Sequence, residues 1–314
     1  MKIRILSIHR STPLRMDAII KTLIRNGHSL VDELGGDSEA DVWFVDCIWP
    51  HKIKQSIIEE MIAFKGQIIL ISLGDLNIFK LDGLPNELIN KITAFVKIQW
   101  DHDLTIYDPR IVAKMITVHP FLIGGLPQPI IKKPKVCFFG LPTGAEDAKN
   151  NLRIQACRIL KDQPWFVGGI VGQEPGANPR DIAGIEIGHR PRNFYLNTIN
   201  QSLVSLCMPG NSPLTYRMFE SLGVGSAVVS CSLEDVGWLN YMEPGVHYFV
   251  VKPDLSDLLE VCKRAINNNA QAHKIAAAGY ALYQDYYAIQ QDGGLSDNIW
   301  QDIKAQFINI GIEF

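Results

Sequence analysis

Residues 2–8 alternate polar and apolar side chains before running apolar, and the stretch 13–27 that follows sets Leu14, Ala18, Ile19, Thr22 and Leu23 at one-turn intervals. The first pattern has the period of a strand. The second, opened by a proline and closed by a glycine, has the period of one helix face. Strand-like runs recur at 29–31, 41–47 and 67–73, with a helical stretch at 53–64 and shorter strands near 94–98 and 115–118. Short apolar strands alternating with helices imply parallel pairing through crossovers, hence a doubly wound α/β sheet.

Periodicity lapses between His119 and Pro134, where four prolines and a Gly-Gly pair gather as in a linker. A second alternation follows, with strands expected at 135–141, 165–171, 203–207, 226–231 and 248–251 and helices at 145–160, 192–200, 213–222, 255–267 and 271–286. The expected organisation is a first Rossmann-like domain over 1–125, a linker over 126–134, a second Rossmann-like domain over 135–294, and a terminal helix over 295–314. That helix belongs to no strand unit and is expected to return to the first domain. Two such domains would face one another across a cleft, with ligands outside the carboxyl ends of the strands.

A length of 314 residues exceeds one ordinary core and agrees with two domains. With 47% hydrophobic residues, 20% charged residues and a net charge of -3, the chain is neither disordered nor globally attracted to nucleic acid or anionic membranes. Locally the balance differs: Lys2, Arg4, Arg10, Arg15, Lys21 and Arg25 face only Asp17 within the first 28 residues. No signal-peptide or membrane-spanning run is found, so a soluble, cytoplasmic protein is expected. The six cysteines are scattered singly without zinc-ligand spacing, and neither a disulfide nor a metal site is expected.

The chemistry concentrates between Leu206 and Val229. A strand runs into a turn of Pro209, Gly210, Asn211 and Ser212, and Pro213 stands where a first helical position is expected, followed by Leu214, Thr215, Tyr216 and Arg217. The free N–H groups and dipole of a helix start form an anion site, and Arg217 one turn inside adds a cation. Glu220 lies at i+3 from Arg217, suited to sugar hydroxyls; the alternative for the same spacing is an ion pair between the two.

The run "PLTYRMFESLGVGSAVVS" resembles the donor-binding helix of GT-B fold glycosyltransferases. Downstream, "PGVHY", "VKPDLSDL" and an "IAxxG" segment, in that order within residues 241–286, resemble glycosyltransferase family 90, the group of capsule xylosyltransferases and protein O-glucosyltransferases. The resemblance covers roughly 135–286. It implies a GT-B architecture and a nucleotide-sugar donor, uridine-linked, held by the second domain and used with inversion. Nucleotide sugar is a co-substrate, and no cofactor is implied. Arg217 matches the arginine that meets the donor diphosphate; family 90 commonly has a different residue where Glu220 stands, while other GT-B groups use a glutamate there for ribose, and Asn211, Ser212, Thr215 and Tyr216 are the neighbouring donor candidates. The loop "FFGLPTGAEDAKNNLR" matches a glycine-containing donor loop, so Gly140, Thr143 and Arg153 join the donor candidates, although Leu141 stands where a basic residue is expected. His247 in "GVHYF" reads as structural or donor-lining. Commonest retaining GT-B enzymes carry a glutamate where Ser212 stands here, which favours the inverting reading.

An inverting transfer needs a general base for the acceptor hydroxyl. Asp75, which ends the strand run "QIILISLGD", and Asp103, in "WDHDLTIYDP", are the leading candidates, followed by His9 and then Asp46. A first strand that neighbours the fourth would bring His9 and Asp75 together at the switch point. Asp101-His102-Asp103 also forms a DxD triplet, a metal motif of a different glycosyltransferase fold, and no metal is expected here. The acceptor is a hydroxyl of a glycan, lipid-linked molecule, protein or nucleic acid; the basic N-terminal stretch would suit an anionic one. The competing reading is a non-catalytic nucleotide-sugar or glycan-binding protein on a degenerate GT-B scaffold.

Overall fold

The computed structural model describes residues 1–7, 13–31, 40–46, 53–72, 81, 83–97, 104–117, 126–143, 151–172, 182–210, 213–234, 236 and 242–313. The chain divides into two compact units, one of Met1–Leu122 with Tyr286–Phe314, the other of Ile123–Asp285.

In the first unit, β1 (Lys2–Ser7), β2 (Ser29–Leu30), β3 (Val42–Asp46), β4 (Gln67–Ser72), β5 (Ala94–Lys97) and β6 (Met115–Thr117) form a parallel sheet in the order β2-β1-β3-β4-β5-β6. The crossover helices are α1 (Pro13–Arg25), α2 (Gln55–Ala63), α3 (Asn86–Lys91) and α4 (Pro109–Val112). Every residue of β3 is buried, as expected of a central strand covered on both faces. One face packs Trp43, Val45, Ile68, Leu70 and Phe95 against Ile58, Met61 and Leu88. On this face Trp43 stacks on Phe64 at 4.7 Å, and the Arg4 guanidinium lies 4.5 Å from the Trp43 ring.

The strand order corrects one expectation. β3 pairs with both β1 and β4, so the first strand does not neighbour the fourth. The cause is the short β2, which takes one side of β1 and leaves the other to β3. His9, Asp75 and Asp103 themselves lie outside the described residues. Asp46 is described: it ends β3, fully buried.

In the second unit, β7 (Lys133–Gly140), β8 (Phe166–Ile170), β9 (Ser202–Leu206), β10 (Ala227–Cys231) and β11 (Tyr248–Val251) form a parallel sheet in the order β11-β10-β9-β7-β8. Around it run α5 (Leu152–Leu160), α6 (Arg192–Gln201), α7 (Tyr216–Gly223), α8 (Leu258–Asn267) and α9 (Asn269–Leu282), the last continuing into a π-turn over Tyr283–Tyr287. Val136, Phe138, Val204, Leu206 and Val229 pack against α5, α8 and α9 through Ile154, Cys157, Val261, Cys262 and Ile275. Cys137, Phe139, Ile199 and Val224 form the smaller core on the opposite face.

Residues 126–132, expected in the linker, belong to this second unit. Lys132 Nζ donates to the Asn200 carbonyl at 2.7 Å and its side-chain oxygen at 2.9 Å, and Asn200 Nδ2 donates to the Gln128 carbonyl at 2.8 Å. These bonds tie the strap to the end of α6, and β7 begins at Lys133, two residues earlier than the apolar pattern suggests.

The last helix, α10 (Asp297–Asn309), packs on the first unit. Its Trp300, Ile303 and Phe307 line a small apolar cavity together with Ile19 and Leu23 of α1 and Phe44, Ile71 and Val96 of the sheet. Thr22 Oγ1 accepts from Leu295 N at 2.8 Å, Arg25 donates to Asp292, Asp297 and the Leu295 carbonyl, and Thr117 N donates to Gln306 at 2.8 Å. The unit reclaims the chain at Tyr286, ahead of the boundary at 295, because Ser296 Oγ donates to the Tyr286 carbonyl at 2.5 Å and holds that turn beside the helix. Part of the basic excess near the N-terminus is therefore answered by acids near the C-terminus.

Candidate functional site

In the second unit β8 lies on one side of β7 and β9 on the other. The chain reverses its winding between β7 and β9, and a doubly wound sheet opens its ligand crevice at the carboxyl ends of such a pair. The donor candidates that are described gather there.

Arg153, on the first turn of α5, stitches the loops after β7 and β9 together. Its Nε donates to the carbonyls of Met208 at 3.2 Å and Pro209 at 3.1 Å, and its Nη1 to the Leu141 carbonyl at 3.0 Å and to Thr143 Oγ1. Asn151 caps α5 by accepting from Ile154 N at 3.2 Å and ties back by donating to the carbonyls of Pro142 and Thr143. Gly210 makes room for this junction: a Cβ there would lie 2.4 Å from both Arg153 Nη2 and Thr143 Oγ1. Arg153 and Thr143, read from sequence as ligand contacts, are thus also the frame of the crevice.

The helix start differs from the expectation at Pro213. α7 begins at Tyr216 with Thr215 at the N-cap in extended conformation, φ -132 and ψ 149. Leu214 is buried, and drawing it into the core keeps the chain extended past Pro213 before it turns. Thr215 Oγ1 is buried and makes no cap bond, and among the described residues it has no hydrogen-bond partner. Asn211 and Ser212 lie outside the described residues.

Arg217 points across the end of β7. Its Nη2 donates to the Phe139 carbonyl, its Cζ lies 4.6 Å from the Phe138 ring centroid, and the residue is only 8% exposed. Nε and Nη1 are buried, with no hydrogen-bond partner among the described residues. Buried guanidinium N–H groups without acceptors are costly and rare, and a buried cation with open donors is suited to a bound anion. Gly140 leaves the space this side chain occupies.

Glu220 does not pair with Arg217. Its Oε1 accepts from Arg192 Nη1 at 2.7 Å and its Oε2 from the Tyr195 hydroxyl, both on α6. The Glu220 side chain is 3% exposed and that of Arg192 56%. Burial, with the Glu220 charge adding to it and Arg217 opposing, pushes the Tyr195 phenol well above its usual value, so it remains a donor. Tyr195 and Phe194 meet the Phe139 ring edge-on at 5.9 and 6.2 Å. The sequence reading missed Arg192 and Tyr195. They stand at i and i+3 of a predicted helix, a weak signal until the partner face is known. His247 accepts at Nδ1 from Glu243 N at 2.9 Å and locks the turn before β11; burial lowers its pKa.

Two parallel Rossmann-like sheets with this terminal helix make up the GT-B fold. Similar solved structures are Anabaena Alr3699/HepE in complex with UDP (TM-score 0.61, 12% identity, 98% of this chain and 100% of that one) and the T4 phage DNA-modifying β-glucosyltransferase (TM-score 0.58, 12% identity, 99% and 100%). TarM is similar at TM-score 0.58 and 11% identity over 90% of this chain, which spans 57% of TarM's length. No family model and no curated protein matches the sequence, so glycosyltransferase family 90 rests on the motif resemblance alone.

Proposed function

We propose that this protein is an inverting glycosyltransferase that takes a sugar from a nucleotide-sugar donor, uridine-linked, and places it on an acceptor hydroxyl. The observation that carries the reading is Arg217: buried at the β7/β9 switch point beside Gly140, with Nε and Nη1 lacking a hydrogen-bond partner among the described residues. A diphosphate there would accept from Arg217 and from the first turn of α7, with the helix dipole adding to the attraction. HepE bound to UDP and the T4 enzyme, whose substrate is uridine diphosphoglucose, support this choice of donor, as does the family 90 resemblance.

In the reaction the acceptor oxygen attacks the anomeric carbon opposite the diphosphate. The bond from that carbon to the diphosphate oxygen breaks as the new glycosidic bond forms, and the acceptor proton passes to a general base. Arg217 and the helix start would stabilise the charge that develops on the leaving diphosphate. Asp75 and Asp103 are the proposed bases, with His9 as a further candidate.

The test is a thermal-shift screen of nucleoside diphosphates and nucleotide sugars, followed by a donor hydrolysis and transfer assay. Selective stabilisation by UDP or a UDP-sugar, lost in Arg217→Ala, is expected. No stabilisation by any nucleotide would overturn the reading. Stabilisation without turnover under any acceptor would instead identify a binding protein on the same scaffold.

A further inference from the structure

Arg217 and Glu220 stand at the spacing at which opposite charges on a helix ordinarily pair. Both are buried, and a contact between them would satisfy each in a setting where water screens poorly. It does not form. Both carboxylate oxygens are engaged by α6, one by Arg192 Nη1 and the other by the Tyr195 hydroxyl, while Arg217 reaches the Phe139 carbonyl and its Nε and Nη1 have no hydrogen-bond partner among the described residues.

We infer that Arg192 and Tyr195 are positioning residues that hold the Glu220 carboxylate on α6 and so keep the Arg217 guanidinium available to an anion. Without them, Glu220 is one rotamer change from an internal counter-ion. A tethered carboxylate acts at a high effective concentration and competes with a phosphate for the same N–H groups. Arg192 suits the task because it is anchored at one end only: its guanidinium holds the buried carboxylate while much of its side chain stays in solvent. Tyr195 suits it because burial keeps its hydroxyl protonated.

The inference rests on the donor reading proposed above, and its test separates the two. UDP binding is measured by calorimetry in the wild type, Arg192→Gln/Tyr195→Phe, Glu220→Gln and the triple variant, with uridine as a phosphate-free control. Thermal unfolding confirms that each is folded. The double variant is expected to bind UDP about tenfold more weakly or worse, the scale of a lost charge-assisted hydrogen bond, with uridine affinity unchanged. In the Glu220→Gln background the same two changes should cost less than about twofold, because a neutral amide cannot neutralise Arg217. Arg192→Lys should retain most of the affinity.

Failure of the wild type to bind UDP overturns the donor reading and this inference with it. If the wild type binds UDP, three results overturn this inference alone. They are an unchanged affinity in the double variant, an equal loss in the Glu220→Gln background, and loss of UDP binding in Glu220→Gln by itself. A double variant that does not fold transfers the test to the single changes Arg192→Gln and Tyr195→Phe, each compared with and without Glu220→Gln.

Discussion

Gly140 ends β7 against the Arg217 guanidinium: a Cβ built on the glycine would lie 2.7 Å from Nη2 and 3.5 Å from Cζ. The absence of a side chain at one residue thus sets the position of the cation at the other. Gly140→Ala should displace the guanidinium from the Phe139 carbonyl and weaken UDP binding about tenfold, the scale of one charged hydrogen bond. Titration calorimetry reads the affinity and a melting curve the stability, which should change little because the displaced group is the end of a flexible side chain. Unchanged UDP affinity would mean that the guanidinium position is not what the ligand reads.

Arg153 carries the loops after β7 and β9 through bonds to Met208, Pro209, Leu141 and Thr143. Its removal leaves buried carbonyls without a donor, so Arg153→Ala should cost about 2–4 kcal/mol of stability. Lysine offers a compact charge in place of a planar fork and should recover less than half of the loss. Urea unfolding of both variants checks this, and full recovery with lysine would point to charge in place of geometry.

Thr22 is buried between α1 and the turn into α10, donating to the Ala18 carbonyl at 2.7 Å while accepting from Leu295 N. Thr22→Val keeps the shape and removes the acceptor. The Leu295 N–H is then orphaned, at about 1–3 kcal/mol. Hydrogen exchange should rise first across residues 286–313, and uniform loosening of the whole unit would contradict the local role.

Lys132 is the titratable group to follow with pH. Burial lowers its pKa from 10.5 to about 8. Between those values the unfolded chain binds a proton that the folded protein has released, so this group's contribution to stability rises as pH increases through the window and is smallest below it. Burial acts oppositely on Cys157, Cys207 and Cys262, raising them from 9.0 to about 12, so their contribution falls above pH 9. The amine is therefore isolated by difference. Wild-type stability minus that of Lys132→Met should increase from pH 7 to pH 10 in urea titrations; a flat difference would mean that the ammonium is solvated as in water.

Much of the fold was legible in the chain. The strand at 67–73 and the shorter ones near 94–98 and 115–118 fall within a residue or two of β4, β5 and β6, because a buried parallel strand must be apolar along its length and the surrounding helices must not be. The strand, the Pro/Gly turn and the helix that carries Arg217 were also legible as a local pattern, although the helix starts at Tyr216 and not at Pro213.

Local pattern alone set the two α/β units and an amphipathic terminal helix that belongs to no strand unit. Tertiary structure decided which strand neighbours which, since the slot beside β1 goes to β3 through the placement of the short β2. It also decided that Glu220 answers to Arg192 and Tyr195 and not to Arg217, and that Arg153 frames the crevice. Those outcomes depend on competition between partners far apart in the chain. Helix spacing fixes which residues share a face, but the energy of a buried charge depends on what the opposite element brings to it.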